Sequence, residues 1–310
     1  MDYISIVVPF LNEESCILKF CDFINEFSIN KPFSTEVIFV DDGSTDNTIN
    51  IINDYEFANC QNVKLVKLSK NYGSHAAIRA GIFHSSGNYV TFVDADLQTP
   101  RDMVMIMYEN IVGGGLDAVY IEKKSIKINK LRRVASLLYS SLMRRYAVKN
   151  YGSGGINNIM FNKKIRDYLN NNIESNSSLV LQIIDAGFNS TTIKMDYAER
   201  IAGASKWSFG AKIKLFIDSF VSFSFVPIRM VSVIGVMMFV AGSLLGLGVI
   251  INRIAYPDIP VGYATLAAIL SMGFGITNIS LGIIAEYLWR TLDAARKRPV
   301  FIVSEIKEIK

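Results

Sequence analysis

The chain has 310 residues, a formal net charge of +4 and a composition that is 50% hydrophobic, long enough for one catalytic domain with an appended element and a sizeable core. Its mean hydropathy of +0.28 is high for a soluble enzyme, and the apolar excess is concentrated after Pro227. Basic residues gather around 123–149, 206–214 and 290–298 with no nucleic-acid-binding signature beside them, so they read as contacts for membrane headgroups or phosphate and not for nucleic acid.

Residues 1–120 alternate short apolar runs with helical patterns. Strands are predicted at Ile4–Val8, Val37–Val40, Val63–Leu68 and Tyr89–Val93, with helices near Glu14–Phe27, Thr45–Tyr55 and His75–His84. Ile4–Val8 has no basic leader and no cleavage site, so it is expected to be a buried first strand and the chain to start in the cytosol. Cys16, Cys21 and Cys60 lack metal-type spacing and are expected to be reduced thiols facing a cytosol. Strands alternating with helices argue for a mostly parallel sheet covered on both faces, with ligands at the strands' carboxyl ends.

Three of those ends carry polar clusters: Pro9-Phe10-Leu11-Asn12-Glu13, Asp41-Asp42-Gly43-Ser44 and Asp94-Ala95-Asp96-Leu97-Gln98. Any one of them satisfies the needs of a helix cap or turn, but three on one sheet converge on a single crevice. The third is the most informative. A hydrophobic strand that delivers Asp94 and Asp96 to its exposed end offers hard oxygen ligands, suited to a divalent cation that itself holds a diphosphate. That points to sugar-nucleotide chemistry. Of the two histidines, His75 lies at a helix start beside Asn71-Tyr72-Gly73-Ser74, where a structural or capping role is expected and contact with the donor is the alternative, and His84 lies at the end of that helix.

Further along, Leu131, Val134, Ala135, Leu138, Leu142 and Tyr146 follow helical spacing with Arg132, Arg133, Arg144 and Arg145 on other faces. A second such stretch runs over 209–225. Basic amphipathic helices of this kind lie in a bilayer interface or pack on the domain's own sheet. Residues 231–251 and 261–285 contain no charge until Glu286 follows the second, and each is long enough to span a hydrocarbon core. The short connector 252–260 makes them a hairpin. Lys212, Lys214 and Arg229 precede it and Arg290, Arg296, Lys297 and Arg298 follow, so the positive-inside rule places both ends in the cytoplasm.

Val7-Val8-Pro9-Phe10-Leu11-Asn12-Glu13-Glu14, Val40-Asp41-Asp42-Gly43-Ser44-Thr45-Asp46, Leu68-Ser69-Lys70-Asn71-Tyr72-Gly73, Asp94-Ala95-Asp96-Leu97-Gln98 and Glu199-Arg200-Ile201-Ala202-Gly203-Ala204-Ser205-Lys206-Trp207 occur in this order. With the terminal hairpin they make the chain resemble, over essentially its whole length, the polyprenyl-phosphate glycosyltransferases of glycosyltransferase family 2. That group is related to dolichyl-phosphate mannose synthase, and the likeness is greatest to bacterial members that load a sugar onto undecaprenyl phosphate.

The resemblance implies an α/β GT-A catalytic domain over 1–226 that includes interfacial helices near 131–146 and 209–225. A transmembrane hairpin over 227–289 and a cytoplasmic tail over 290–310 would follow. It implies that Pro9, Leu11, Glu13 and Asp42 line the nucleoside pocket with Asp41 supporting that loop, that Asp94 and Asp96 are the catalytic pair facing the donor with Ala95 between them at the nucleotide, and that Asp96 and Gln98 hold Mg²⁺ or Mn²⁺. Lys123, Arg132, Arg133, Ser136, Arg200, Ser205 and Lys206 would meet the acceptor phosphate.

The implied activity is inverting transfer of a sugar from a nucleotide sugar, expected to be a UDP-hexose, to undecaprenyl phosphate. The site of action would be the cytoplasmic face of a bacterial plasma membrane, in a homo-oligomer. Many relatives carry Gly-Asp-Phe-Arg where this chain has Gly154-Gly155-Ile156-Asn157-Asn158-Ile159-Met160. A phosphate acceptor needs no general base, since it is already an oxyanion at neutral pH, and Asn157 or Asn158 remain available to orient it. Alternatives are transfer to another lipid or glycan, or a non-catalytic membrane scaffold that binds nucleotide sugars. The absence of a Gln-x-x-Arg-Trp segment argues against polymer extension.

Overall fold

A computed structural model describes residues 1–123, 141, 145, 156–174, 178–197, 226–255, 263–296 and 298–310. They form two compact units, one of Met1–Ser219 with Pro299–Lys310 and one of Phe220–Arg298.

In the first unit, strand and helix alternate as β1 (Asp2–Phe10), α1 (Ile17–Phe27), β2 (Phe33–Asp41), α2 (Thr48–Asp54), β3 (Asn62–Leu68), α3 (Ser74–Phe83), β4 (Tyr89–Phe92), α4 (Met103–Gly113) and β5 (Ala118–Lys123). Then come β6 (Ile156–Asn162), α5 (Lys163–Asn171), α6 (Leu179–Asp185), β7 (Ser190–Met195) and, near the C-terminus, β8 (Val303–Glu308). All eight strands make one sheet in the order β7-β5-β6-β4-β1-β2-β3-β8. β1 pairs in parallel with β2 and β4, as do β2 with β3 and β5 with β7, whereas β6 is antiparallel to β4 and β5, and β8 to β3.

The central strands are apolar because both faces are covered. Ile4, Ile6, Val7, Val8, Val37, Ile38, Phe39 and Val40 are fully buried, which is why they read as continuous hydrophobic runs and not as an alternation. On α1 the buried residues Ile17, Phe20, Cys21, Ile24 and Phe27 recur at helical spacing. Phe20, Phe10 and Phe57 all pack edge-on or tilted on Phe39, with centroids 5.6 to 6.4 Å apart. On the face carrying α3, Gly81 allows the helix to settle onto β1, where a Cβ would stand 2.2 Å from a Val7 methyl. All three cysteines are free thiols, Cys21 and Cys60 buried.

The second unit holds α7 (Val226–Ala255) and α8 (Tyr263–Arg296), of 30 and 34 residues, which pack on each other. The expected span 231–251 falls within α7 and residues 263–285 of the second within α8, its first two residues lying outside the described ones, yet among the described residues no helix is long and apolar enough to cross a membrane. Apart from the helical Ser141 and Arg145, the expected interfacial helices lie outside the described residues. Within the stretch expected to be a tail, residues up to Arg296 continue α8 and Val303–Glu308 form β8 at the edge of the sheet. Its pairing is reinforced where Ser69 N donates to the Ile302 carbonyl at 2.9 Å and Lys310 Nζ donates to the carbonyls of Phe57 at 2.8 Å and Ala58 at 2.6 Å.

Candidate active site

Strand direction brings the polar clusters to one edge. β1, β2, β3, β4, β5 and β7 run the same way, so their carboxyl ends share an edge with the amino end of the oppositely running β6. The order reverses at β1, which has β2 on one side and β4 on the other. A crevice outside the strand ends forms at such a switch point. Pro9–Glu13 and Asp94–Gln98 flank it.

The loops after β1 and β2 are laced together. Asn12, with φ at 52°, donates its N–H to Ser44 Oγ at 3.0 Å and accepts at Oδ1 from Thr45 N at 2.8 Å. Glu13 N donates to Thr48 Oγ1 at 3.0 Å, and Glu14 N to Asp46 Oδ2 at 3.1 Å. Asp41 and Asp42 are both buried. Asp41 Oδ1 accepts from Ser44 N at 2.8 Å, while its Oδ2 is buried with no hydrogen-bond partner among the described residues. A bare buried carboxylate oxygen is a cost that folds tolerate mainly at functional sites.

Asp42 reaches across to the loop after β3 and accepts from Tyr72 N at 2.7 Å and Gly73 N at 2.9 Å. Burial pushes its carboxyl above the usual range, with neighbouring Asp41 adding to the rise against the pull of those two amides. Gly43 sits where a Cβ would come 2.9 Å from Asn71 N at a φ of +87°, so only glycine lets the two loops touch. The result is that Asp41, Asp42 and the Ser69–Gly73 loop brace one another at this edge of the sheet.

Across the switch point, Asp94 is exposed, Ala95 buried, and Asp96 and Gln98 half-buried. Asp96 Oδ1 accepts from Gln98 N at 3.2 Å over a tight turn in which Leu97 takes a φ of 57°. Burial, Glu13 and then Asp96 together push the Cys16 thiol up to about 11, and Cys16 Sγ donates to Glu13 Oε2 at 3.2 Å. Lys123, at the end of β5, holds its ammonium 5.3 Å from the centroid of the Tyr197 ring.

A family model described as glycosyl transferase family 2 matches residues 5–178. The chain belongs to that family. Curated relatives cover nearly its whole length. The chain is 30% identical over 318 residues to undecaprenyl-phosphate 4-deoxy-4-formamido-L-arabinose transferase of Shewanella sediminis, covering 99% of this chain and 93% of that one. It is 29% identical over 314 residues to the prophage bactoprenol glucosyl transferase homolog of Escherichia coli, covering 98% and 99%. A weaker likeness is to a solved mannosyltransferase of Pyrobaculum calidifontis in complex with GDP-Man and Mn²⁺, 16% identical with a TM-score of 0.49 over 94% of this chain and 87% of that one.

In this family 2 glycosyltransferase the structure therefore gathers Pro9, Leu11, Glu13, Asp41, Asp42, Asp94, Ala95, Asp96, Gln98 and Lys123 along one edge of the sheet. Arg132, Arg133, Ser136, Arg200, Ser205 and Lys206 lie outside the described residues. Among the described residues no group of three or more His, Cys, Asp or Glu is placed to hold a metal. Asp94 and Asp96 offer carboxylates at a single turn, a donor set that fits a hard divalent ion only when phosphate oxygens complete it. Tyr197 escaped the sequence reading. It lies just past β7 with no local signal, and only strand order carries it to the Asp94 edge.

Proposed function

We propose that this glycosyltransferase transfers a sugar, inverting its anomeric configuration, from a nucleotide sugar to undecaprenyl phosphate at the cytoplasmic face of a bacterial plasma membrane. The observation that carries the reading is the convergence of the buried Asp41–Asp42 pair and the Asp94-Ala95-Asp96 turn at the switch point of one sheet. The relatives that match over nearly the whole chain, an undecaprenyl-phosphate sugar transferase and a bactoprenol glucosyl transferase homolog, support the acceptor.

In this reading Pro9, Leu11, Glu13 and Asp42 line the nucleoside, and a UDP-hexose is the donor of choice. Asp94 and Ala95 face the sugar diphosphate. Asp96 and Gln98 would hold Mg²⁺ or Mn²⁺, which when bound neutralises charge on the departing diphosphate. An oxygen of the lipid phosphate forms the new bond to the anomeric carbon as the bond to the diphosphate breaks, and the nucleoside diphosphate leaves with that electron pair. A phosphate monoester with a second pKa of about 6 needs no base to become the nucleophile. Lys123, with Arg132, Arg133, Ser136, Arg200, Ser205 and Lys206, supplies the cations and donors that hold the acceptor.

The membrane assignment belongs to the proposal as well. Residues 231–251 carry no charge, and α7 leaves Met230, Val233, Val236, Met237, Val240, Leu244, Leu247 and Ile251 exposed. An apolar stripe of that size in water is an aggregation liability, and in lipid it is at home.

The test is transfer of labelled sugar from UDP, GDP and dTDP sugars into organic-extractable undecaprenyl phosphate, with Mg²⁺ or Mn²⁺ and with EDTA. Label entering the lipid phase only with metal is expected, and Asp96→Ala should lower turnover about a hundredfold or more. Full turnover by Asp96→Ala would remove the metal role, and no label with any donor would remove the acceptor.

A further inference from the structure

Where β4 leaves the sheet to deliver Asp94, its backbone pairing to β6 runs from Tyr89↔Asn162 only to Thr91↔Met160. On the β6 side, side chains then take over, while on the other edge the backbone ladder to β1 continues through Val7↔Phe92 and the bond from Val93 N to the Val7 carbonyl at 2.9 Å. Thr91 Oγ1 donates to the Ile159 carbonyl at 2.9 Å, and Asn158 Nδ2 donates to the Phe92 carbonyl at 2.8 Å. Because a carbonyl can only accept, this contact fixes the orientation of the Asn158 amide. Its Oδ1 then faces the Tyr197 phenol, which donates to it at 2.6 Å. Asn158 is only 1% exposed, so the protein itself satisfies both ends of the amide, and losing either partner strands a buried polar group.

Tyr197 ties this relay to both halves of the site. Burial and then the charge of Asp94 push its phenol upward, so it remains a donor at working pH. Its ring meanwhile lies under the Lys123 ammonium, within cation–π range. Phe92, at the far end of the relay, is two residues from Asp94. The segment that supplies Asn158 is the one in which this chain departs from Gly-Asp-Phe-Arg.

We propose that Asn158 and Tyr197 are positioning residues, a hydrogen-bonded relay that holds the Asp94-Ala95-Asp96 turn in register with Lys123. The inference rests on the donor role given to Asp94 and Asp96 above. Neither residue touches the reacting atoms. Both act through the strand end that carries the carboxylates, so their loss misplaces the turn by a fraction of an ångström and lowers the chemical step more than donor binding.

The experiment compares the unaltered chain with Tyr197→Phe, which deletes a single hydroxyl, with Asn158→Leu, which keeps the branched shape and removes both hydrogen bonds, and with the double variant. Measured are kcat and donor KM for transfer to undecaprenyl phosphate, UDP affinity by calorimetry, and melting temperature. Each single variant is expected to lose about ten- to hundredfold in kcat, with donor KM and UDP affinity held within about threefold. The double variant should be no worse than the weaker single one, since both break the same relay. Unchanged kcat in Tyr197→Phe, or losses that multiply in the double variant, would overturn the proposal. So would a fall in kcat matched by an equal fall in UDP affinity and melting temperature. Should Asn158→Leu fail to fold, Tyr197→Phe decides alone. Absence of transfer by the unaltered chain would instead overturn the functional reading, and this inference with it.

Discussion

Glu36 is fully buried in the middle of β2 and survives there as an ion because it is saturated with donors. Lys64 Nζ reaches its Oε1 at 2.7 Å, and Ser86 N and Oγ each donate at 2.9 Å. Ser5 Oγ donates to Oε2 as well. Burial on its own pushes the carboxyl up, but the Lys64, Ser5 and Ser86 bonds outweigh it and leave the group below the ordinary 4.5. A depressed folded value means that the unfolded chain takes up the proton first as pH falls. The stabilisation is therefore complete above 4.5 and drains away as pH drops through the folded value. Glu36→Gln should cost about 2 kcal/mol at neutral pH, and the gap from the unaltered chain should close in acid. Urea unfolding at pH 7 and near pH 3 measures both. None of this shows in the sequence, where Glu36 is one charge inside an apolar run. The Asp94-Ala95-Asp96 turn, by contrast, was visible because its carboxylates follow directly on the strand that presents them.

Helix α3 shows how an element is seated. Gly81 lies in its middle, and an added Cβ would be 2.2 Å from Val7 Cγ1 and 3.1 Å from Val40 Cγ2. Those methyls belong to β-branched residues with little rotamer freedom. Alanine improves intrinsic helix propensity by about 1 kcal/mol, but overpacking at such a distance costs about 1–3 kcal/mol. Gly81→Ala should therefore destabilise by up to about 2 kcal/mol, with a lowered denaturant midpoint and an unchanged m-value. Elements with a strong internal pattern, such as α1 and β1 to β4, were readable within a few residues. β8 was not. Its residues Ser304, Glu305, Ile306, Lys307 and Glu308 are exposed, and an edge strand of mixed charge looks like a tail until the partner that pairs with it is known.

At the scale of the whole chain, the two units pose different solvent problems. The sheet unit buries its apolar residues, whereas α7 and α8 expose large ones, among them Leu266, Leu270, Phe274, Leu281, Leu288 and Trp289 on α8. If those helices are the membrane hairpin proposed above, the protein should remain in the membrane pellet after alkaline carbonate and enter solution only with detergent. Release by carbonate would reduce the attachment to a peripheral one. Chain-local features were legible from residue order: strand–helix alternation, the three polar strand ends, the uncharged runs and the family. Each of these is a periodicity or a cluster within a few residues. Only the folded sheet revealed β8 as a strand, the brace from Asp42 to the amides of Tyr72 and Gly73, and the relay from Tyr197 through Asn158, 39 residues away in sequence, to Phe92. Such contacts join residues far apart in the chain. Strand order and direction bring them together, and no local pattern of side chains encodes either.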